Sequence, residues 1–546
     1  MLSPVRSLFK LGVDLTLLCL RPFVYALYLT PIPQLLAKFV EKNQWLVICF
    51  FALPGSYVFD MFFIVRNWYV RQFLAAPLLH DQRVREVQAQ VRRWNEDGRK
   101  KPMCTARPGW LTMSTRIASF KDDCSRISIN LHDILEVDTE KGLVRCEPLV
   151  DMGQLTAHLL PMGWTLACMV EMEDLTVGGL LMGVGLEVNS HIHGFMFETV
   201  ESYEVVLANG DVVTASRTEN ADLFHALPMS HGTLGFLVSA TLKIIPCKPY
   251  MHMRYVPCYT TQEMQDKMIE YTESENPVSF VELTVYSKDT GVIMLGEFAD
   301  VDTPEKRAKV NGVNHFWKPW FYKHVEEFLQ TPEGGEEYIP LRHYYHRHTR
   351  SIFWKMEELV PFGNQAWYRY LFGWLGAPKV SFIKLFTQTP EIRRKMAEEH
   401  VYQDIIVPLS KTVESIDKFD ELFEFYPLLF YPVRIYKQPE GLGGLIRQPE
   451  NLKPGKDWEM FFDLGVYGIP PAVKRGEKYD AKDALRKMEQ FTRDLKGFQL
   501  LYADCLQTKE EFYTMFDHSL YHNVRAKYGA VGAFPEVYDK TCFQQT

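Results

Sequence analysis

The 546-residue chain is short of several features that would fix its class at once. Its ten cysteines form no Cys-x-x-Cys pair, so neither a zinc site nor a secreted disulfide framework is written into the spacing. Mostly reduced thiols are expected instead, with the soluble part facing the cytosol; buried bystander cysteines fit equally well. No long basic stripe appears, the net charge is −8, and nucleic acid is excluded as a partner. Internal repeats and low-complexity tracts are lacking, and no metal-binding constellation stands out. There is no Walker lysine. The one glycine-dense stretch, Leu175–Gly194, has Gly183-Val184-Gly185 but lacks the third glycine of a Rossmann fingerprint.

What is present begins with grease. Trp45 to Val65 is apolar over a length that can span a bilayer, although Pro54, Gly55 and Asp60 interrupt it. Leu15 to Leu36 is apolar too, and reads as a second span, a re-entrant hairpin or an interfacial segment. Arg66, Arg71, Arg83 and Arg85 follow, which places that side in the cytosol. A buried helical pair of a soluble domain is the competing reading.

Beyond residue 75 the pattern is α+β. Arg83–Gly98 reads as a charged helix stopped by glycine. "ILEVD" and "LVRCEP" read as strands. Asp151 caps the next helix, Gln154 completes a capping box, and Gly163 ends it. Asn209-Gly210 predicts a hairpin with a type I′ turn. Asn220–Leu227 reads as a short capped helix, and Gly232–Pro246 as a strand. After Pro246 the chain turns rich in Trp, Tyr, Phe and His, and a second domain is expected there.

Glycines let a backbone approach a ligand, and rows of free amides suit a diphosphate. A pair of tight turns is the plainer explanation. The order Thr176-x-Gly178-Gly179, then Ser190-His191-x-His193-Gly194, the hairpin, Glu219-Asn220-x-Asp222-Leu223-Phe224 and Gly232-Thr233-x-Gly235 resembles the vanillyl-alcohol oxidase and p-cresol methylhydroxylase superfamily. The resemblance implies a two-subdomain FAD-binding domain, with Thr176, Gly178, Gly179 and Gly183 beside the pyrophosphate and flavin. It places Ser190, His191, His193 and Gly194 on the FAD-facing segment, and Gly232, Thr233 and Gly235 close by. The loop Cys104–Trp110 matches the family's first glycine loop but has no histidine. Arg107 and Gly109 there are expected to hold FAD noncovalently.

"RPGWLT", "DLTVGGL", "IPLRHYYHRHTRSIFW", "LYADC" and "FPEVYDK" carry the likeness further. From about residue 45 to 541 the chain is similar to the delta(24)-sterol reductase (Diminuto-like) family. That implies a membrane-bound FAD enzyme of the endoplasmic reticulum, also the Golgi, which reduces the side-chain double bond of sterols such as desmosterol with NADPH. Other sterol-pathway enzymes are conceivable partners. The segment Thr165–Gly179 and His231 depart from the family pattern, which leaves sterol choice open.

The boundaries expected are 1–75 for membrane anchoring, 76–250 for FAD, 251–500 for a substrate cap, and 501–546 for a segment returning to the FAD domain. The reaction needs a proton donor above an apolar tunnel. His343 and His346 are candidates, with His348 and the neighbouring Arg342, Arg347 and Arg350. A basic, aromatic packing segment is the preferred reading for any single histidine there. Tyr502 and Asp504 compete, as do Glu171, Glu173 and Asp174. An arginine of this set is a candidate for the NADPH 2′-phosphate. An oxygen-using FAD oxidase of the aldonolactone or sugar-alcohol type and a non-catalytic sterol-binding protein are the alternatives.

Overall fold

The computed structural model describes residues 43–542 apart from 70–71, 74–76, 117 and 388–389. The apolar stretch 15–36, Cys19 and Arg71 lie outside the described residues. Trp45–Tyr69 is helical throughout, with one wide turn at Ile48–Ala52. His80–Glu96 follows as a helix that buries Val84, Val87, Val91 and Trp94 on one face and stops before Gly98 at φ +84°. The nine described cysteines are all free thiols.

Strands β1 (Met103–Thr105) and β2 (Ser125–Ile127) pair in parallel. A six-stranded antiparallel sheet comes next, from β3 (Ile134–Asp138), β4 (Leu143–Cys146), β5 (Trp164–Leu166), β6 (Val200–Val206), β7 (Val212–Ser216) and β8 (Phe236–Pro246). Its order is β3-β4-β8-β6-β7, with β5 added to β8. The helix Met152–Leu159 starts where the Asp151 carboxylate accepts the Gln154 amide N–H at 2.7 Å, and Gly163 at φ +77° closes the turn after it. The Gln154 side chain does not complete a capping box; it donates to the His132 carbonyl.

Two local expectations are corrected. At the β6–β7 hairpin only Gly210 has positive φ, +89°, whereas a type I′ turn needs it at Asn209 as well. The Gly210 N–H bonds the Leu207 carbonyl at 3.0 Å, which is a type I turn ending in a left-handed glycine bulge. Asn209 is held by its own contacts with Asp211. Asn220 does not cap its helix either. It sits at φ +46° and donates its amide to the Thr214 carbonyl.

The first sheet closes at Pro246 and the second opens at Tyr250. The second has eight antiparallel strands: β9 (Tyr250–Cys258), β10 (Phe280–Val285), β11 (Gly291–Ala299), β12 (Gly335–Pro340), β13 (Val401–Pro408), β14 (Leu428–Tyr436), β15 (Trp458–Gly468) and β16 (Phe498–Gln499). Their order is β12-β9-β11-β10-β14-β15-β13-β16. Helices Thr261–Glu273, Thr412–Phe423 and Ala481–Asp494 pack on this sheet and on one another. Ala481, Ala484, Leu485, Met488 and Thr492 form the buried stripe of the last, at the spacing of one helix face. The chain then returns to the first sheet: Met103 N–H bonds the Ala533 carbonyl, and buried Arg525 bonds the carbonyls of Thr233 and Phe534.

Candidate active site between the two sheets

A cavity of about 1940 Å³ lies between the sheets. One wall is the glycine stretch. Thr176, Gly178, Gly179 and Gly183 line it, as do Gly232 and Gly235. Close approach requires glycine at Gly178, where a Cβ would meet the Pro148 Cβ at 2.8 Å. At Gly183 a Cβ would lie 2.7 Å from the Gly179 carbonyl. These are packing requirements, and they also leave the amides on this wall uncovered by side chains.

Cations gather beside the glycines. Arg107, Arg116, Lys121 and Lys540 all line the cavity. Arg116 donates to the Lys540 carbonyl at 2.8 Å, yet its Nε is buried with no partner among the described residues. Burial pushes the Arg116 guanidinium down to about 10 and the Lys540 ammonium down to about 8, the latter helped by repulsion from Lys121 and Arg116. Lys540 donates to the His231 carbonyl, and the His231 ring is buried with Nε2 unpartnered among the described residues. Burial and these same two cations, Arg116 and Lys540, hold that imidazole neutral. A concentration of desolvated positive charge around a cavity is a site for an anion.

The opposite wall is a face of the second sheet, and strand register builds it. Tyr402 pairs with Tyr467, and Asp404 with Gly465, across β13 and β15. Leu429 pairs with Gly465, and Tyr431 with Asp463, across β14 and β15. Alternation therefore puts Tyr402, Asp404, Tyr431, Asp463 and Tyr467 on one side, and all five line the cavity. The Tyr467 hydroxyl donates to Asp404 Oδ1. Gly465 makes this bond possible, because a Cβ there would collide with both oxygens. The buried Tyr502 hydroxyl faces the same carboxyl without a well-formed hydrogen bond. Burial pushes Asp404 up to about 7, with the Tyr467 and Tyr502 hydroxyls opposing the shift. Asp463 is raised as well, by burial and by repulsion from Asp404 and Glu171. Neither Asp463 Oδ1 nor Glu171 Oε2 has a partner among the described residues. Burial on this wall favours the protonated forms of Asp404 and Asp463, which is what a general acid needs.

The residues singled out from the sequence divide sharply. Tyr502 and Asp504 line the cavity, as do Arg107 and the six glycine-wall positions above. Gly109, Ser190, His191, His193, Gly194, Thr233, His343 and His346 do not. Gly109 packs on Ala118. Ser190–His193 is a short helix seated on β14, where Tyr436 donates to the Ile192 carbonyl at 2.9 Å. His191 bonds the Val278 carbonyl, and Gly194 leaves room for the Tyr436 ring. That motif joins the two sheets. Thr233 bonds Tyr521 and the Ser230 carbonyl. His346 is committed at both nitrogens, to Thr156 at 3.0 Å and to the Glu171 carbonyl at 2.9 Å. His343 packs edge-on to His315 outside the cavity. Arg350 donates to the carbonyls of Val313, Phe316, Pro319 and Lys318. Of the arginines and histidines at 342–350 Arg342 reaches the cavity, paired with Glu173 at 2.9 Å.

Asp404, Asp463 and Tyr467 were missed. Their signal is a polar residue at alternate positions inside strands that are otherwise apolar, "VYQDIIVP" and "WEMFFDLGVYG". A buried carboxylate on a strand is costly unless it is paired or working.

Comparison with known proteins agrees with this architecture. Residues 82–216 match the FAD binding domain family. The chain is 46% identical to the delta(24)-sterol reductase of Homo sapiens over 506 residues, 92% of this chain and 95% of that protein. It is 38% identical to the delta(24)-sterol reductase of Arabidopsis thaliana over 521 residues, 92% of this chain and 91% of that one. L-gulonolactone oxidase of Bos taurus is more distant, 24% identical over 56% of this chain and 61% of its own length. With near-complete coverage at these identities, the chain belongs to the delta(24)-sterol reductase family.

Proposed function

We propose that this protein is an FAD-dependent reductase that uses NADPH to saturate the side-chain double bond of a sterol such as desmosterol. It works attached to the endoplasmic reticulum membrane, with its catalytic part in the cytosol. Residues 76–250 form the two-subdomain FAD domain, 251–500 the substrate cap, and 501–546 the segment returning to the FAD domain. The carrying observation is a single cavity whose walls differ in chemistry: glycines and cations on one side, carboxyls and tyrosines on the other. Its 1940 Å³ exceeds the roughly 300–1,000 Å³ of a pocket for one small ligand, and suits a dinucleotide with a second molecule over it.

FAD fits the first wall. The orphaned Arg116 Nε and His231 Nε2 are buried donors or acceptors awaiting a partner. Arg107, Arg116 and Lys540 would hold the diphosphate. Thr176, Gly178, Gly179, Gly183, Gly232 and Gly235 would admit it to the backbone. The absence of histidine from Cys104–Trp110 favours noncovalent binding. When bound, FAD supplies the hydride that NADPH provides. Arg342, at the cavity wall and paired with Glu173, is the arginine of its segment placed to meet an NADPH phosphate. Arg116→Met is expected to weaken FAD roughly tenfold to a hundredfold, the effect of one charge-assisted hydrogen bond of about 1.5–3 kcal/mol. Fluorescence titration of the flavin-free protein measures it; unchanged affinity would remove Arg116 from the site.

The second wall supplies the proton. An unactivated double bond needs an acid held in its protonated form in a dry site. Asp404 meets that requirement. Its O–H bond breaks as a C–H bond forms at one alkene carbon, while the hydride goes to the other. The Tyr467 and Tyr502 hydroxyls stabilise the carboxylate left behind, and water reloads it. The protonated form is the active one. Sterol turnover is therefore expected to be flat below about pH 7 and to fall near tenfold per unit above it. A profile with no alkaline limb in Asp404→Asn, against a clear one in the native protein, would place the limb on this group.

The test of the reading is spectroscopic. Purified protein should show a flavin spectrum, bleach with NADPH without oxygen, and recover on adding desmosterol. Recovery with oxygen but with no sterol would move the reading to an oxidase. A protein that takes up no FAD would be the non-catalytic binder.

A further inference from the structure

The helix Trp45–Tyr69 has 25 residues and a mean hydropathy of 1.9, enough to cross a bilayer. Its contacts argue for a different placement. One side is fastened to the segment 362–382 along most of its length. Trp45 packs edge-on to Phe362 at 5.3 Å, Tyr57 edge-on to Trp374 at 5.3 Å, and Phe59 on Phe382 at 5.4 Å. The Lys379 backbone N–H donates to Ser56 Oγ at 2.7 Å, and its ammonium lies 3.6 Å from the Asp60 carboxylate. A helix standing across the bilayer would drag this segment, with Lys379 and its partner Asp174, into hydrocarbon. Charges there are expensive.

The free side is a stripe. Phe51, Val58, Phe62, Val65 and Tyr69 are half to three-quarters exposed and recur at the spacing of one helix face. The neighbouring helix Ala366–Phe372 and the turn after it repeat the arrangement. Trp367, Tyr370, Leu371 and Trp374 are exposed at i, i+3, i+4 and i+7, while Tyr368 is buried. A helix that turns its apolar face outward has not met its partner in the fold. Trp and Tyr at such a stripe suit the level of lipid headgroups. The same elements wall the cavity: Phe59, Phe63 and Ile64 from the first helix, Val380 and Ile383 from the helix Val380–Phe386.

We propose that Trp45–Tyr69 and Ala366–Leu375 form one docking face that lies in the plane of a phospholipid bilayer, and that the apolar substrate passes from the lipid into the cavity beside it. The docking stands on the two exposed stripes alone. The entry route rests on the sterol reading above.

The full chain in phosphatidylcholine vesicles is photolabelled with phospholipids carrying a diazirine either near the glycerol or at the acyl terminus, and adducts are mapped by mass spectrometry. The shallow probe should mark both 51–69 and 367–374, and the deep probe several-fold less of each. Strongest deep labelling near Val58 with 367–374 unlabelled means a spanning helix and overturns the docking face. No labelling of either stripe in a dimeric protein means a second copy covers them, which also overturns it. For entry, Leu371→Glu replaces an exposed side chain outside the cavity. It should raise KM for vesicle-borne desmosterol about tenfold, the scale of one leucine leaving an apolar phase, with kcat and NADPH bleaching unchanged. With cyclodextrin-delivered sterol it should have no effect. Equal change from both sources overturns the entry route and leaves the docking result standing. Labelling as expected in a protein that bleaches with NADPH but reduces no sterol counts against the sterol reading, not against docking.

Discussion

Asp404→Asn is expected to lower sterol turnover roughly 10²–10⁴-fold, the range for loss of a general acid, while NADPH bleaches the flavin at close to the native rate. The side chain is nearly isosteric and keeps an oxygen for the Tyr467 hydroxyl, so the β13–β15 pairing has no reason to change. What disappears is the transferable proton. Tyr467→Phe and Tyr502→Phe are milder, because the first removes a hydrogen bond to the carboxylate, the second a hydroxyl that only faces it, and both leave its proton in place. If Asp404→Asn slows bleaching and turnover alike, the residue supports flavin binding, and the acid must be sought at Asp463 or Glu171.

Arg347→Met is the counterpart on the stability side. Arg347 is fully buried, bonds Glu282 at 2.9 Å and Glu187 at 3.2 Å, and stacks over the Tyr344 ring at 4.6 Å. Glu282 belongs to β10 and Glu187 to the loop after the glycines, so one guanidinium ties the two sheets together. Burial pushes both carboxyls toward the neutral form and Glu187 stays raised; at Glu282 the Arg347 guanidinium, with His348, outweighs burial and holds it below the usual carboxylate range. Removing the cation leaves two buried acids without it and should cost roughly 3–5 kcal/mol. The thermal midpoint reads this directly. A variant as stable as the native protein but unable to pass electrons to sterol would return the Arg–His segment to the chemistry.

That segment shows where the sequence could be read and where it could not. "RHYYHRHTR" advertises acid–base chemistry by residue type, and type alone cannot distinguish a working histidine from one locked into a core. His346 bonded at both nitrogens and Arg350 feeding four carbonyls are facts of packing. The glycine wall was legible because its signal is local: Gly178 and Gly183 sit within one turn and a half of each other and exclude side chains for reasons visible in spacing. The helix start at Asp151 was legible for the same reason. Asn209-Gly210 marked the hairpin correctly but not its turn type, which the packing of Gly210 on the helix His80–Glu96 helps to set through Gln88. The Ser190–Gly194 motif seats a short helix on β14, away from the cavity lining. Asp404 and Asp463 are 59 positions apart, and only the register of β13 on β15 makes them neighbours. No short motif records such a pair. An isolated acid in an apolar strand is the trace it leaves.

The most direct test is the anaerobic re-oxidation of NADPH-bleached flavin by desmosterol, followed by stopped flow in native protein and Asp404→Asn at pH 6 and pH 8. The account predicts fast recovery in the native protein at pH 6, recovery near tenfold slower at pH 8, and very slow recovery in the variant at both. Equal rates in native protein and variant, with or without a pH effect, would contradict it.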